Sequence, residues 1–252
     1  MMKRNKLRII IAVIFCCLFF VWNWCFFTCR KSSLEFFPNS DFEIFELTDA
    51  SMGGNSTAAL DLSDSLLGVE INVRSGVAYP AVGIGFNLRS VNNRPVEFFN
   101  FAKFDSLEIV LATNRMSSVS VRILTDDPVY TKPGIRETLR PVVYNVPATR
   151  SFESVKIPLT SFSTAVWWLA AMGMDDDDGL THLHRSTLFE ITNGDGVMRG
   201  IPDEISVKKV RAWGVNHDFV KAMYAILLLM MVTFGLVEMV TLKGRPDDIS
   251  KK

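Results

Sequence analysis

The stretch Ala81-Val82-Gly83-Ile84-Gly85-Phe86-Asn87-Leu88, "AVGIGFNL", alternates large apolar side chains with glycine or asparagine. A period of two sends Val82, Ile84, Phe86 and Leu88 to one face of a strand, and Gly83, Gly85 and Asn87 to the other. The stretch therefore reads as a half-buried strand with an unusually bare second face. The same period recurs outward from it, in "GVEINV" (Val69, Ile71, Val73) and in "SVSVRILT" (Val119, Val121, Ile123). "SLEIVLAT" carries it more continuously, and shorter runs follow in "SVKIPLTSF", "TLFEIT" and "ISVKKVRAWGV". Turn-forming clusters separate them, "MGGNST", "NNRP", "TDDP", "TKPG" and "NGDG", and helical periodicity is hard to find from Ser32 to Asn216. Seven or more short strands with turns between them predict an all-β sandwich or jelly roll over residues 32–216.

Two greasy stretches bracket this region. Residues 9–29, "IIIAVIFCCLFFVWNWCFFTC", hold only Asn23 and Thr28 as plainly polar side chains, and about 20 apolar residues suffice to cross a hydrocarbon core. The run exceeds the h-region of a secretory signal, and no small-x-small site follows it, so it reads as a retained anchor. Residues 219–242 form the second predicted transmembrane helix, with Lys221 and Glu238 near its ends, where long side chains reach the headgroups. Lys3, Arg4, Lys6 and Arg8 precede the first span, and Lys243, Arg245, Lys251 and Lys252 follow the second. The positive-inside rule then makes residues 1–8 and the tail 243–252 cytoplasmic and residues 30–218 extracytoplasmic. A bacterial inner membrane with a periplasmic domain is the expected setting.

Charge and cysteine usage narrow the function classes. Residues 31–218 carry 17 Lys and Arg against 24 Asp and Glu, a net charge of −7, which argues against a nucleic-acid partner. All four cysteines, Cys16, Cys17, Cys25 and Cys29, lie in the first span, so the exported region must be held by a packed core and not by disulfides. No paired carboxylates are placed across a cleft, and no serine sits in a glycine elbow. An enzyme is not expected.

In order along the chain stand an early Gly-Gly-x-Ser turn (Gly53, Gly54, Ser56), an "Asp-x-Leu" strand opening (Asp105, Leu107) and an "Ile-Pro-Leu-x-x-Phe" strand (Ile157, Pro158, Leu159, Phe162). With these markers the region resembles the galactose-binding-like jelly rolls found among carbohydrate-binding modules. The resemblance spans about 180 residues. It implies a glycan ligand, met by aromatic faces and polar forks on a concave sheet or at loop tips, because a pyranose has apolar C–H faces and a rim of hydroxyls. The matching ligand-binding candidates are Tyr130, Arg136 and Arg140 in the loop "VYTKPGIRETLRPVVY", followed by Trp167 and Trp168, at least one of which is expected to pack structurally. The resemblance also implies a structural calcium ion near Asp41, Glu43 and Asp49, although Lys208 occupies the last-strand position where an acidic ligand is expected.

The run "MGMDDDDGLTHLHR" fails the EF-hand spacing, since Gly179 as sixth residue puts Met174 first and Arg185 twelfth. It reads as a solvated acidic loop. Together these features predict a membrane-anchored, ligand-binding receptor or accessory subunit without its own output domain. Its message would pass to a membrane-protein partner, or within a homodimer, through the helices. The alternative is an envelope assembly factor that binds another protein through the jelly roll.

Overall fold

A computed structural model describes residues 2–39, 41–91, 94–194 and 196–243. The predicted tail 243–252 thus lies outside the described residues beyond Lys243. In chain order the elements are α1 (Met2–Cys29), β1 (Lys31–Phe37), β2 (Phe42–Leu47), β3 (Thr57–Leu62), β4 (Leu67–Asn72), β5 (Gly83–Val91) and β6 (Arg94–Pro95). There follow β7 (Ser106–Thr113), β8 (Ser118–Thr125), β9 (Arg140–Pro147), β10 (Glu153–Pro158), β11 (Ser163–Thr164) and α2 (Val166–Ala171). The chain closes with β12 (Ser186–Asn193), β13 (Asp203–Val215) and α3 (His217–Lys243).

The strands form two sheets, and the pairings among β2 to β13 are antiparallel. One sheet runs β10-β7-β13-β4-β3, with β1 also paired to β13; the other runs β11-β9-β8-β12-β5-β2, with β6 on β5. Between them lies one β-sandwich core. The alternation in "AVGIGFNL" works as expected, because Val82, Ile84, Phe86 and Leu88 are all fully buried. On the opposite face Gly85 leaves the space that the Phe45 ring fills, since a Cβ there would come within 2.3 Å of it. Phe36 anchors an aromatic group, stacking on Phe42 at 4.9 Å and on Phe101 at 5.5 Å. Each such side chain contributes on the order of 1.5–3 kcal/mol by leaving water.

The Gly-Gly-x-Ser turn has a physical cause. The fully buried Asp49 carboxylate accepts from Ser56 N at 3.0 Å and from Ser56 Oγ at 2.7 Å. Arg74 N donates in turn to Ser56 Oγ at 2.9 Å. Gly54 is required because a Cβ at that position would meet the Asp49 carboxylate at 2.1 Å.

The chain divides into two compact units, the sandwich Ser33–Gly214 and a helical unit containing α1 and α3. Within the helical unit the two helices pair, with Trp22 Nε1 donating to Met223 O at 2.9 Å and Phe15 meeting Phe234 edge-on at 4.7 Å. Residues 2–8 form the first turns of α1, because nothing in "MKRNKLR" interrupts the helix. Ile9–Cys29 and His217–Val240 are long and apolar enough to cross a membrane.

Candidate functional site

Register across the second sheet builds a row of outward-facing residues. Ser163 of β11 stands opposite Val143 of β9, Val143 opposite Arg122 of β8, Arg122 opposite Glu190 of β12, and Glu190 opposite Gly85 of β5. The next row sets Asn145 opposite Ser120 and Ser120 opposite Thr192. Because side chains alternate between faces, these residues point away from the core that Val119, Val121, Phe189 and Ile191 fill. Above them opens a cleft of about 650 Å³, walled by Tyr79 from the loop before β5, by Trp167 and by Arg199.

The short helix α2 decides what the two tryptophans do. Consecutive helical residues diverge by about 100°, so neighbours cannot share one face. Trp167 turns to the cleft, where its indole lies nearly parallel to the Tyr79 ring at 6.1 Å and the Arg122 guanidinium sits 5.5 Å from its centroid. Tyr79 is 62% exposed, an unusual state for a large aromatic and one that offers a ring face to a ligand. Trp168 turns inward, fully buried with Ala165 and Leu169, and meets Tyr130 edge-on at 5.7 Å. At this position the indole packs the sandwich edge.

Arg140, named with the ligand candidates, is also turned inward. β9 begins at Arg140, so the expected loop ends there, and the side chain is fully buried 5.0 Å from the Trp168 ring centroid. Its Nε donates to Asp127 at 2.8 Å, its Nη1 and Nη2 to the two Asp178 oxygens at 2.5 and 3.0 Å, and Nη1 also to Leu180 O. The hydrogen bonds from Arg140 hold the Asp178 carboxyl well below its ordinary value, at about 2.

The acidic run is accordingly more than a solvated loop. Asp178 belongs to this anchor, and Asp177 accepts from Thr164 N and Oγ1 at 3.3 and 3.1 Å. All four aspartates are exposed, as the solvated reading expects, and Asp177 and Asp178 in addition hold hydrogen bonds to the sandwich.

Arg136 lines a smaller, separate cleft of about 340 Å³ with Arg89 and Lys132. Its Nη2 donates to the fully buried Glu190 at 2.5 Å, while Arg122 Nε lies 4.0 Å from the other Glu190 oxygen. Desolvation pushes the Arg122 guanidinium below its ordinary value; Glu190 opposes the fall and Arg136 adds to it.

Of the five ligand candidates, then, only Trp167 lines the main cleft. Sequence reasoning missed Tyr79, Arg122 and Arg199. Arg122 had a signal, as a polar position on the outward period of "SVSVRILT"; Tyr79 and Arg199 sit in loops with no such pattern.

Two of the three residues implied for calcium, Asp49 and Glu43, hold hydrogen bonds within the sandwich. Asp49 is engaged by Ser56, Glu43 accepts from Asn87 Nδ2 at 2.9 Å, and Lys208 Nζ sits 4.0 Å over the Phe152 ring. Among the described residues no three His, Cys, Asp or Glu side chains cluster as a metal site.

No family model and no curated protein sequence matches the chain. Among solved structures it is similar to the family 11 carbohydrate-binding module of Clostridium thermocellum in complex with a β-1,3-1,4-mixed-linked tetrasaccharide, at 10% identity and a TM-score of 0.47, covering 73% of this chain and 96% of that one. It is also similar to a family 30 carbohydrate-binding module (12% identity, TM-score 0.39, 73% and 99% covered) and to a family 4 module (13%, 0.38, 68% and 86%). These likenesses are distant, and they concern the β-sandwich.

Proposed function

We propose that the sandwich is a carbohydrate-binding domain whose ligand lies in the cleft on the outer face of the second sheet. The observation that carries this reading is the pairing of an aromatic wall, exposed Tyr79 and partly buried Trp167, with a floor of hydrogen-bonding side chains from three adjacent strands. A sugar ring needs that combination: its C–H face stacks on an aromatic ring, and its hydroxyls demand donors and acceptors at fixed spacing. The floor is rigid because register, and not loop conformation, positions Ser120, Arg122 and Thr192.

The two apolar helices support a membrane-anchored form of this domain, with the sandwich outside the cytoplasm and with receptor or accessory roles carried through helix contacts. The test uses the full chain in detergent micelles, titrated by calorimetry with a panel of plant and bacterial oligosaccharides. At least one oligosaccharide is expected to bind saturably, and Trp167→Ala is expected to weaken it at least about tenfold while lowering the melting temperature by only a few degrees. Absence of binding by every oligosaccharide would sink the reading.

A further inference from the structure

The charge of the cleft opposes that of the domain around it. Residues 31–218 carry a net −7, yet the charged side chains lining the cleft among the described residues are Arg122 and Arg199, with no carboxylate. Arg122 is the more telling of the two. Its side chain is 12% exposed on the cleft floor, and it shares the fully buried Glu190 with Arg136. Two guanidinium groups on one carboxylate leave the cluster with one formal positive charge in excess. Desolvation already disfavours the charged state of Arg122, so an incoming anion would relieve a cost the folded protein carries. Arg136, by contrast, is closely paired with Glu190 at 2.5 Å and lines the other cleft, which leaves Arg122, at 4.0 Å, as the less compensated member.

Arg199 stands exposed among the lining residues, and its Nη2 reaches Ala78 O at 3.4 Å, a weak contact that a better acceptor would displace. A guanidinium offers a planar fork that matches a carboxylate or a sulfate with two parallel hydrogen bonds. Neutral hydroxyls give no such return for holding a cation in a desolvated floor.

We infer that the ligand of this cleft is an acidic saccharide, bearing carboxylate or sulfate groups, with an anionic group received by Arg122 and Arg199 and a ring face laid on Tyr79 and Trp167. This inference rests on the carbohydrate reading and narrows it. Electrostatic recognition of this kind weakens with added salt, whereas stacking on the aromatic wall does not.

The experiment is calorimetric titration of the full chain in detergent micelles with oligosaccharides of matched length: a neutral set of gluco- and xylo-oligosaccharides, oligogalacturonates, and sulfated galacto-oligosaccharides. Sodium sulfate alone is the fourth titrant. The expected result is binding of one or both acidic sets at least about tenfold tighter than the neutral set, with sulfate alone far weaker. Arg199→Gln, on the exposed rim, and Arg122→Lys, which keeps the charge but not the fork, should each weaken the acidic ligand about tenfold. Which acidic set binds distinguishes carboxylate from sulfate. Neutral oligosaccharides binding as tightly as acidic ones would overturn the inference and leave the carbohydrate reading standing. Failure of every saccharide would overturn both, as would sulfate alone matching the acidic oligosaccharides. Acidic binding unchanged in both arginine variants would place the ligand elsewhere and also overturn the inference.

Discussion

Two arginine–tryptophan pairs stand side by side in this sandwich and do opposite work. At the first, Arg140 lies 5.0 Å from the Trp168 ring centroid and meets three carboxylates, Asp127 and Asp178 closely and Asp177 at 3.9 Å. At the second, Arg122 lies 5.5 Å from Trp167 but shares one carboxylate with another arginine. The residue types are the same. Exposure and the count of charges separate an anchor, whose hydrogen-bonding capacity is used up inside the protein, from a site with capacity left over. An arginine beside an aromatic ring is therefore no sign of ligand binding until its carboxylates have been counted.

The sharpest way to break this comparison is to remove the rings. Trp168→Ala should cost about 3–5 kcal/mol, measured by denaturant unfolding of the full chain, because a fully buried indole leaves a cavity. Trp167→Ala should cost less, about 1 kcal/mol, its ring being only partly buried. Equal losses would erase the distinction between the two rings.

The cations come next. Arg140→Met strands Asp127, 2% exposed, and should cost about 3 kcal/mol. Arg122→Met leaves Glu190 paired with Arg136 and should cost no more than about 1 kcal/mol in the same unfolding measurement. A larger loss at Arg122 than at Arg140 would reverse the assignment of the two pairs.

The smallest effect is a pH dependence confined to the anchor. The Asp178 carboxyl is lowered from 3.8 to about 2 in the folded protein, first by its hydrogen bonds from Arg140. A depressed carboxyl adds stability that is full above the unfolded value and is lost as pH falls through the folded one. Tryptophan emission should therefore shift between about pH 4 and pH 2 as the segment around Asp178 loosens beside Trp168, and Asp178→Asn should lack that step. An unchanged step in the variant would assign the acid response to another group.

How far the sequence carried this picture depends on whether a residue's role follows from local period. "AVGIGFNL" and "SVSVRILT" did, since alternation alone names the buried and exposed sides of a strand, and the fully buried Ile84, Phe86, Val121 and Ile123 follow from it. "RPVVYNVP" did not, because its valines alternate poorly and two prolines suggest a loop, yet it pairs with β8 along its whole length. The site was less legible still. Nothing in the dipeptide Trp167-Trp168 says which ring faces inward; a single turn of helix between two strands decides it. Nor does a run of four aspartates reveal that Asp178 meets an arginine 38 residues earlier, a pairing made only by the folded chain. Tyr79 and Arg199 join one cleft for the same reason.

The pairing of β1 with β13 brings together the first and last strands of the sandwich. Just outside them Asn216 N donates to Arg30 O at 2.8 Å, so entry and exit of the folded unit are one hydrogen bond apart. A unit whose ends meet behaves as a cassette: it occupies a single point of attachment and spans no distance between its hosts. Segment 31–215 is thus suited to transplantation into a surface loop of an unrelated scaffold, where closing the insertion would neither stretch the recipient nor splay the donor.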